Sequence, residues 1–401
     1  MIFESITPAP PDSILGLTEA FRKDTHPKKV NLGVGVYQDN EGRTPVLKAV
    51  KEAEKILLKS EKTKSYLPIS GSPEYGAFVQ EMIFGKDHPV LAADRARTAH
   101  TPGGTGALRV GADFLKKLAP SATTWLSAPT WPNHRGIFAA AGFKVGDYPY
   151  YDPASHGLDF ARTKEALGGI PAGDVVVLHV CCHNPTGVDL TDSQWREVAA
   201  IAQEKKWIPF FDFAYQGLGV GLIEDRAGLL PMLEAGVDVL VSSSFSKNFG
   251  LYNERVGALT LVAADARSAE AAFSHVKVVV RVLYSNPASH GGAIVATILR
   301  DAKLRAEWEA ELSAMRERIA SVRWSLAEEL REKKAPMDFS FINQQRGMFS
   351  FSGLSDAQVA YLREKKSIYI VVGGRINVAG ITSKNIEYLC GSIVEAMGAA
   401  P

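Results

Sequence analysis

Apolar runs in the middle of the chain repeatedly stop dead in polar residues. Thr123 to Ser127 gives way to Ala-Pro-Thr-Trp131-Pro-Asn-His134, and Asp174 to Val180 to Cys-Cys-His-Asn184-Pro-Thr-Gly187. Trp207 to Phe211 leads into Asp212-Phe-Ala-Tyr215, and Val237 to Val241 into Ser-Ser-Ser-Phe-Ser-Lys247-Asn-Phe-Gly250. Short apolar runs of this kind predict buried strands of an α/β layer. Their polar ends then collect at the C-terminal edge, where open α/β sheets bind ligands.

The pattern changes on either side of this stretch. Val46 to Leu58 has helical spacing, and from Lys303 to Lys334 the apolar residues Leu304, Trp308, Leu312, Met315, Ile319, Val322, Leu326 and Leu330 recur in steps of three and four, predicting one long amphipathic helix. Beyond it, strands are expected at Phe339 to Ile342, Gly347 to Phe351, Ile368 to Val372 and Arg375 to Ala379, with helices at Asp356 to Lys365 and Lys384 to Met397. That is an α+β arrangement, distinct from the α/β middle. Residues 1–11 carry three prolines and read as an extended arm, followed by an Asp12-Ser13 cap for a helix with Ile14, Leu17 and Phe21. Val30 to Tyr37 starts as a strand and is interrupted by Gly33 and Gly35, which suit close approach of a ligand or an ordinary turn. Val276 to Leu283 reads as an apolar core strand in which Arg281 is out of place and needs an acidic partner or a substrate carboxylate.

Composition narrows the class. A chain of 401 residues calls for more than one core, and 45 Lys and Arg against 44 Asp and Glu leave no basic surface for nucleic acid or an anionic membrane. Three cysteines, Cys181, Cys182 and Cys390, make no disulfide framework, and the first residues lack a signal-peptide pattern, so a soluble cytoplasmic protein is expected. His179, Cys181 and His183 alternate to one strand face and Cys182 to the other, so no metal site assembles locally and none is expected.

The polar strand ends suggest chemistry. Serine hydroxyls beside Arg255 suit a phosphate, leaving the Lys247 amine free to form a Schiff base with an aldehyde cofactor such as pyridoxal phosphate; a solvated lysine is the plain alternative. Thr101-Pro-Gly-Gly-Thr-Gly-Ala-Leu-Arg109 reads as a loop entering a helix N-terminus, a phosphate cradle or a structural turn, and fits neither the dinucleotide fingerprint nor the Walker A spacing. Trp131, between prolines, either stacks on an aromatic ring or packs in the core. Asp212 either forms a turn or keeps a pyridine nitrogen protonated.

Taken together, Thr-Pro-Gly-Gly-Thr-Gly-Ala-Leu-Arg, Pro-Thr-Trp-Pro-Asn-His, Cys-Cys-His-Asn-Pro-Thr-Gly, Asp-Phe-Ala-Tyr-Gln-Gly and Ser-Phe-Ser-Lys-Asn-Phe-Gly-Leu-Tyr-Asn-Glu-Arg resemble the aspartate/aromatic branch of the class I pyridoxal-phosphate-dependent aminotransferases, over nearly the whole chain. The resemblance implies an α/β protein of fold type I, with a mostly parallel sheet in a large domain at 46–314, a smaller α+β domain at 12–45 and 315–401, and an N-terminal arm at 1–11. It implies a homodimer with shared active sites. Lys247 would hold the cofactor covalently and move the substrate proton. Asp212 would face the ring nitrogen, with His134 and His179 behind it. Asn184 and Tyr215 would bond the ring oxygen, and Trp131 would stack on the ring. Gly104, Thr105, Ser244, Ser246 and Arg255 would hold the phosphate, with Tyr66 reaching across from the second subunit. Arg375, near Gly35, would grip the substrate α-carboxylate, and Arg281 of the second subunit a side-chain carboxylate, while Trp131 and Asn184 would also touch substrate.

Two arginines for two carboxylates favour aspartate, glutamate and their oxo acids. Gln38, Ser65, Leu283 and Ala288 depart from the aspartate-preferring pattern around the substrate mouth, leaving dual specificity for phenylalanine or tyrosine as the alternative. A nicotinamide oxidoreductase lacks its fingerprint here, and a decarboxylase or lyase of the same fold has less use for a retained α-carboxylate.

Overall fold

The computed structural model describes residues 3–8 and 15–399, so the Asp12-Ser13 cap and much of the expected arm fall outside the described residues. Two compact units are present. The larger comprises Thr44–Ala320 and Gln345–Gly347, and the smaller Met1–Arg43, Ser321–Gln344 and Met348–Pro401. Gln345–Gly347 belong with the larger unit because Arg346 N–H donates to the Gly187 carbonyl at 2.7 Å and Gly347 lies against Cys182.

The larger unit is built on a seven-stranded sheet in the order Ala96–Pro102, Val256–Val262, Val239–Ser244, Ile208–Phe213, Val175–His179, Thr123–Ala128, Lys144–Pro149. Val256–Val262 runs antiparallel to both neighbours, and every other pair is parallel. Val175–His179, Val239–Ser244 and Val256–Val262 are buried at every position, as an α/β sheet with covered faces requires. The continuous apolar runs follow from that double burial.

Connectivity sets the position of the opening. After Thr123–Ala128 the chain passes through the helix Asn133–Ala140 to Lys144–Pro149 on one side, and after Val175–His179 through Asp192–Lys205 to Ile208–Phe213 on the other. Connections that diverge from two adjacent parallel strands leave a crevice at their C-terminal ends. The ladder reflects it: Thr123–Ala128 pairs with Lys144–Pro149 over six residues, but with Val175–His179 only at Thr124↔Val175 and Trp125↔Val176.

In the smaller unit Val30–Asn31 pairs in parallel with Ile368–Tyr369, and Phe349–Phe351 antiparallel with Arg375–Asn377. Helices Leu15–Lys23, Asp356–Lys366 and Ile386–Ala399 accompany them. Ser355 and Gln358 close a reciprocal capping box at the start of Asp356–Lys366. The long helix, Ala302–Glu332, has residues in both units.

Three expectations need correction. Val276 to Leu283 is not a strand but the end of the helix Ala266–Leu283, capped by Asp265, whose carboxylate accepts from Ser268 N–H at 2.8 Å. Val276, Val279 and Val280 are buried while Val278, Arg281 and Val282 are exposed, so one-sided helical burial explains both the valines and the charge. Phe339 to Ile342 lies at a 3-10 turn, Ser340–Gln344, rather than in a strand, and Asp338 caps it by accepting from Ser340 N–H at 2.8 Å. The strand before the Cys-Cys pair ends at His179, and Cys182 takes a left-handed φ of 54°, so strand alternation does not govern residues 181–183.

The helix Gly103–Leu118 approaches the sheet so closely that a Cβ at Gly111 would fall inside van der Waals contact with Phe210 Cζ. Gly111→Ala is therefore expected to cost about 2 kcal/mol of stability by overpacking, read as a lowered denaturant midpoint. Phe210→Leu in the same chain should return part of it; equal midpoints for Gly111→Ala and the parent protein would show that the contact is not tight.

Candidate active site

The polar strand ends of the larger unit meet. Asp212 stands on Ile208–Phe213 in register with His179 on one neighbour and Ser242 on the other. Behind it His134 is completely buried at the start of Asn133–Ala140, and its Nε2 lies 3.0 Å from Asp212 Oδ2. An ionised carboxylate only accepts, so His134 donates through Nε2–H and its Nδ1 accepts from the Thr130 hydroxyl at 2.9 Å. Burial pushes the Asp212 carboxyl up, but the hydrogen bond from His134 and the electrostatic surroundings, with Lys247 among them, outweigh it and hold the group below its usual range. Asp212 is thus an ionised carboxylate inside the protein.

Lys247 follows Val239–Ser244, and its Nζ lies 5.0 Å from the centre of the Tyr215 ring. Tyr215, Asn184, Ser244 and Ser246 are buried around the same sheet edge. Trp131 is partly buried, its ring edge-on to His134 at 5.3 Å.

An anion cradle lies beside this group. Gly103 and Gly104 open the helix Gly103–Leu118, with Thr105 in its first turn, so backbone N–H groups face outward from a helix N-terminus. Arg255 donates to the Ser246 hydroxyl and to the Tyr252 carbonyl at 3.4 and 3.1 Å, and Ser242 ties the Gly104 carbonyl at 3.0 Å. Glycine is required at 103, where φ is +70° and a Cβ would stand 2.5 Å from an Arg255 guanidinium nitrogen. At Gly104 a Cβ would come within 3.1 Å of the Ser244 side chain. Hydroxyls, a guanidinium and a helix N-terminus are the donor set of a phosphate dianion, and the neighbouring ionised Asp212 suits a protonated ring nitrogen. The residues present fit pyridoxal phosphate.

Tyr66 is 90% exposed, and Arg281 is exposed with its guanidinium bonded to the Ser285 hydroxyl, so the single chain brings neither into this buried group. Gly35 and Arg375 belong to the smaller unit. There the buried Arg375 donates to the Gly33 carbonyl at 2.5 Å and its guanidinium carbon sits 4.3 Å over the Phe349 ring. A Cβ at Gly35 would stand 2.7 Å from that ring.

A scan against family models matches residues 27–393 to aminotransferase class I and II. The chain belongs to that family. It is 54% identical over 396 residues to a protein of Haemophilus influenzae named aspartate aminotransferase, covering 99% of this chain and 100% of the relative. An aromatic-amino-acid aminotransferase of Escherichia coli is 43% identical over 397 residues, covering 99% and 100%. Among solved structures, an aromatic-amino-acid aminotransferase of Burkholderia pseudomallei covalently bound to pyridoxal phosphate superposes with a TM-score of 0.97 at 48% identity, covering 99% of this chain and 100% of that one. This aminotransferase is a pyridoxal-phosphate-dependent enzyme.

Sequence reasoning passed over several residues that shape the site. Asp189 accepts from Cys182 N–H and His183 N–H, both at 2.8 Å, and so fixes the turn before Asn184. The Trp308 indole donates to the carbonyl of Asn248, the residue after Lys247, at 2.8 Å, and its ring stacks on Phe249. Phe349 carries no polar signal at all. Each acts through backbone or a ring face, and motif spacing records neither.

His179 is in register with Asp212, and its ring lies 4.4 Å from that of His183. Burial and the nearby His134 push His179 down to about 3, and burial, His179 and His134 push His183 well below 6.5. Both stay neutral in the folded protein and take up protons on unfolding, so their contribution to stability rises with pH and is lost as pH falls from about 6.5 toward 3. Denaturant unfolding of the cofactor-free protein should show a loss of about 2 kcal/mol for each imidazole between pH 7 and 5, the slope approaching about 1.4 kcal/mol per pH unit only well below pH 6.5. A His179→Asn variant should remove one such increment; an unchanged slope would mean that His179 is charged in the fold.

Proposed function

We propose that the chain catalyses reversible transfer of the amino group from L-aspartate to 2-oxoglutarate, giving oxaloacetate and L-glutamate in a ping-pong sequence of two half-reactions. The observation that carries the reading is the meeting, at one sheet edge, of a lysine amine, a buried ionised carboxylate and an anion cradle of Ser244, Ser246, Arg255 and the Gly103–Leu118 N-terminus. When bound, pyridoxal phosphate supplies an aldehyde carbon that takes up an amine and a pyridinium ring that draws electrons from the adjacent carbon.

The chain's own residues do the rest. Gly104, Thr105, Ser244, Ser246 and Arg255 bind the phosphate, helped by Tyr66 of the partner subunit. Asp212, fixed by His134, holds the proton on the ring nitrogen. Asn184 and Tyr215 orient the ring oxygen, and Trp131 covers a ring face and excludes water. Lys247 Nζ would anchor the cofactor; displaced by substrate, its neutral amine would take the α-proton and deliver it to the cofactor's former aldehyde carbon, two atoms away across the amino nitrogen, as base and then acid. Arg375 grips the α-carboxylate in a bidentate pair, where Gly35 leaves room, and Arg281 of the partner subunit takes the second carboxylate of a dicarboxylic substrate. The exposure of Tyr66 and of Arg281, the latter beside the exposed apolar residues Val278, Val282 and Leu283, supports a homodimer in which each subunit completes the other's site. Three thiols free of disulfides support a reducing, cytoplasmic setting.

The deciding experiment is the visible and near-ultraviolet spectrum of the holoenzyme mixed with L-aspartate or L-phenylalanine. The lysine-bound cofactor band should disappear much faster with aspartate. Comparable rates would move the enzyme to the broad aromatic class, and a Lys247→Ala protein that still showed the band would overturn the role of Lys247. Arg281→Leu should lower kcat/KM for aspartate about 100-fold or more, as expected for a lost charge-assisted pair, and for phenylalanine by less than about tenfold. Equal losses, read from single-turnover rates, would remove Arg281 from side-chain recognition.

A further inference from the structure

The weakest seam in the central sheet lies beside the site. Thr123–Ala128 and Val175–His179 are neighbours, yet their ladder ends at Trp125↔Val176. Past that point one strand leads to Trp131 and the other to Asn184. Ser127 and His183 bridge the gap: Ser127 Oγ and His183 Nε2 are 2.9 Å apart, and both residues are buried.

Donor and acceptor accounting assigns a direction to each bond in this bridge. Ser127 has one hydroxyl proton, and the assignment gives it to the Pro129 carbonyl, which can only accept, at 3.0 Å. Ser127 Oγ must therefore accept from His183 Nε2–H. A neutral imidazole carries one proton, so Nδ1 is the acceptor, and the Thr186 hydroxyl 2.8 Å away is its donor. Thr186 Oγ1 in turn accepts from Val188 N–H at 3.1 Å. The neutrality on which this rests follows from burial, with His179 and His134 adding to it. Tyr150 fixes the plane of the ring, stacked on it at 4.0 Å and 13°, and its hydroxyl donates to the Val188 carbonyl at 2.8 Å.

We propose that His183 is a positioning residue: as the Nε2–H tautomer it carries an ordered hydrogen-bond chain, Val188 N–H to Thr186 to His183 to Ser127 to the Pro129 carbonyl, which couples the segment bearing Trp131 to the segment bearing Asn184 across the crevice. The proposal rests on the reading of Trp131 and Asn184 as cofactor contacts. The backbone ladder between the two walls has ended before either segment is reached, and the chain carries the connection past that point. With it, the residue that covers the ring and the residue that bonds the ring oxygen keep a fixed spacing.

Two kinds of measurement test it. The first needs no cofactor: nitrogen-15 and proton spectra of histidine-labelled apoprotein should show a slowly exchanging Nε2–H on His183 that shifts in Ser127→Ala and stays neutral from pH 8 to 6. An Nδ1–H tautomer, or a titrating ring, would overturn the chain. The second is a mutant cycle on pyridoxal phosphate affinity and on the pH midpoint of the holoenzyme's visible band. Ser127→Ala and Thr186→Val, which remove opposite ends of the chain, should each weaken cofactor binding about tenfold, the loss of one buried hydrogen bond. The double variant should be little worse than either single one, and the band's midpoint should shift in all three. Fully additive losses with an unmoved midpoint would mean that the two ends act separately and merely support the fold. If Asn184→Ala and Trp131→Ala both left cofactor affinity unchanged, the assignment of the cofactor contacts would fail instead, while the spectra of the apoprotein would still decide the chain. His183→Gln, which keeps a donor near the Nε2 position, should retain more affinity than His183→Ala; equal loss in both would argue against the directional bond to Ser127.

Discussion

A carboxylate kept ionised inside the protein constrains most of what surrounds it. Desolvation works against the charge on Asp212, and a fixed donor together with the electrostatic surroundings, Lys247 among them, reverses that cost. His134 supplies the donor, and it needs a partner for its other ring nitrogen, which Thr130 provides. Lys247 contributes charge from the end of the neighbouring strand, Val239–Ser244, in a position fixed by the sheet. The order of the strands is therefore also an electrostatic arrangement. Register brings Asp212 level with His179 and Ser242, so that acid, imidazole and hydroxyl line one edge.

That dependence explains what was readable in the sequence. The strands ending at Ala128, His179, Phe213 and Ser244 were legible because double burial writes an unbroken apolar run, and the polar residues after each run stand out against it. The long helix Ala302–Glu332 was legible from its three-and-four spacing. Val276 to Leu283 misled because valines on both faces of a helix end look like a strand when only one face is buried. The turn at Ser340–Gln344 misled for a related reason: two phenylalanines in a short apolar run carry no period long enough to separate strand from turn.

Site residues divide in the same way. Lys247, Asp212 and Arg255 were visible as charges in motifs. Asp189, Trp308 and Phe349 were not, because their work is to hold a backbone amide, a carbonyl or a guanidinium face, and many residues in a sequence are able to do so. His183 was visible only as a member of a histidine and cysteine cluster. Its role depends on the ladder ending at Trp125↔Val176, a property of strand order rather than of local sequence.

The smaller unit repeats the theme with a guanidinium in place of a carboxylate. Arg375 is buried, and its charge is met by the Gly33 carbonyl and the face of Phe349. Phe349 is itself held from behind: the buried Arg323 donates to its carbonyl at 2.7 Å and to the Ser350 hydroxyl. Asn377, two residues after Arg375, takes the carbonyls of Val34 and Val36 at 2.7 and 2.8 Å and so fixes the segment around Gly35. Glycine belongs there because a Cβ would drive into the Phe349 ring and displace it from Arg375. A ring face and a carbonyl thus set the plane of the buried guanidinium, and the same ring sets the approach of the Gly35 backbone.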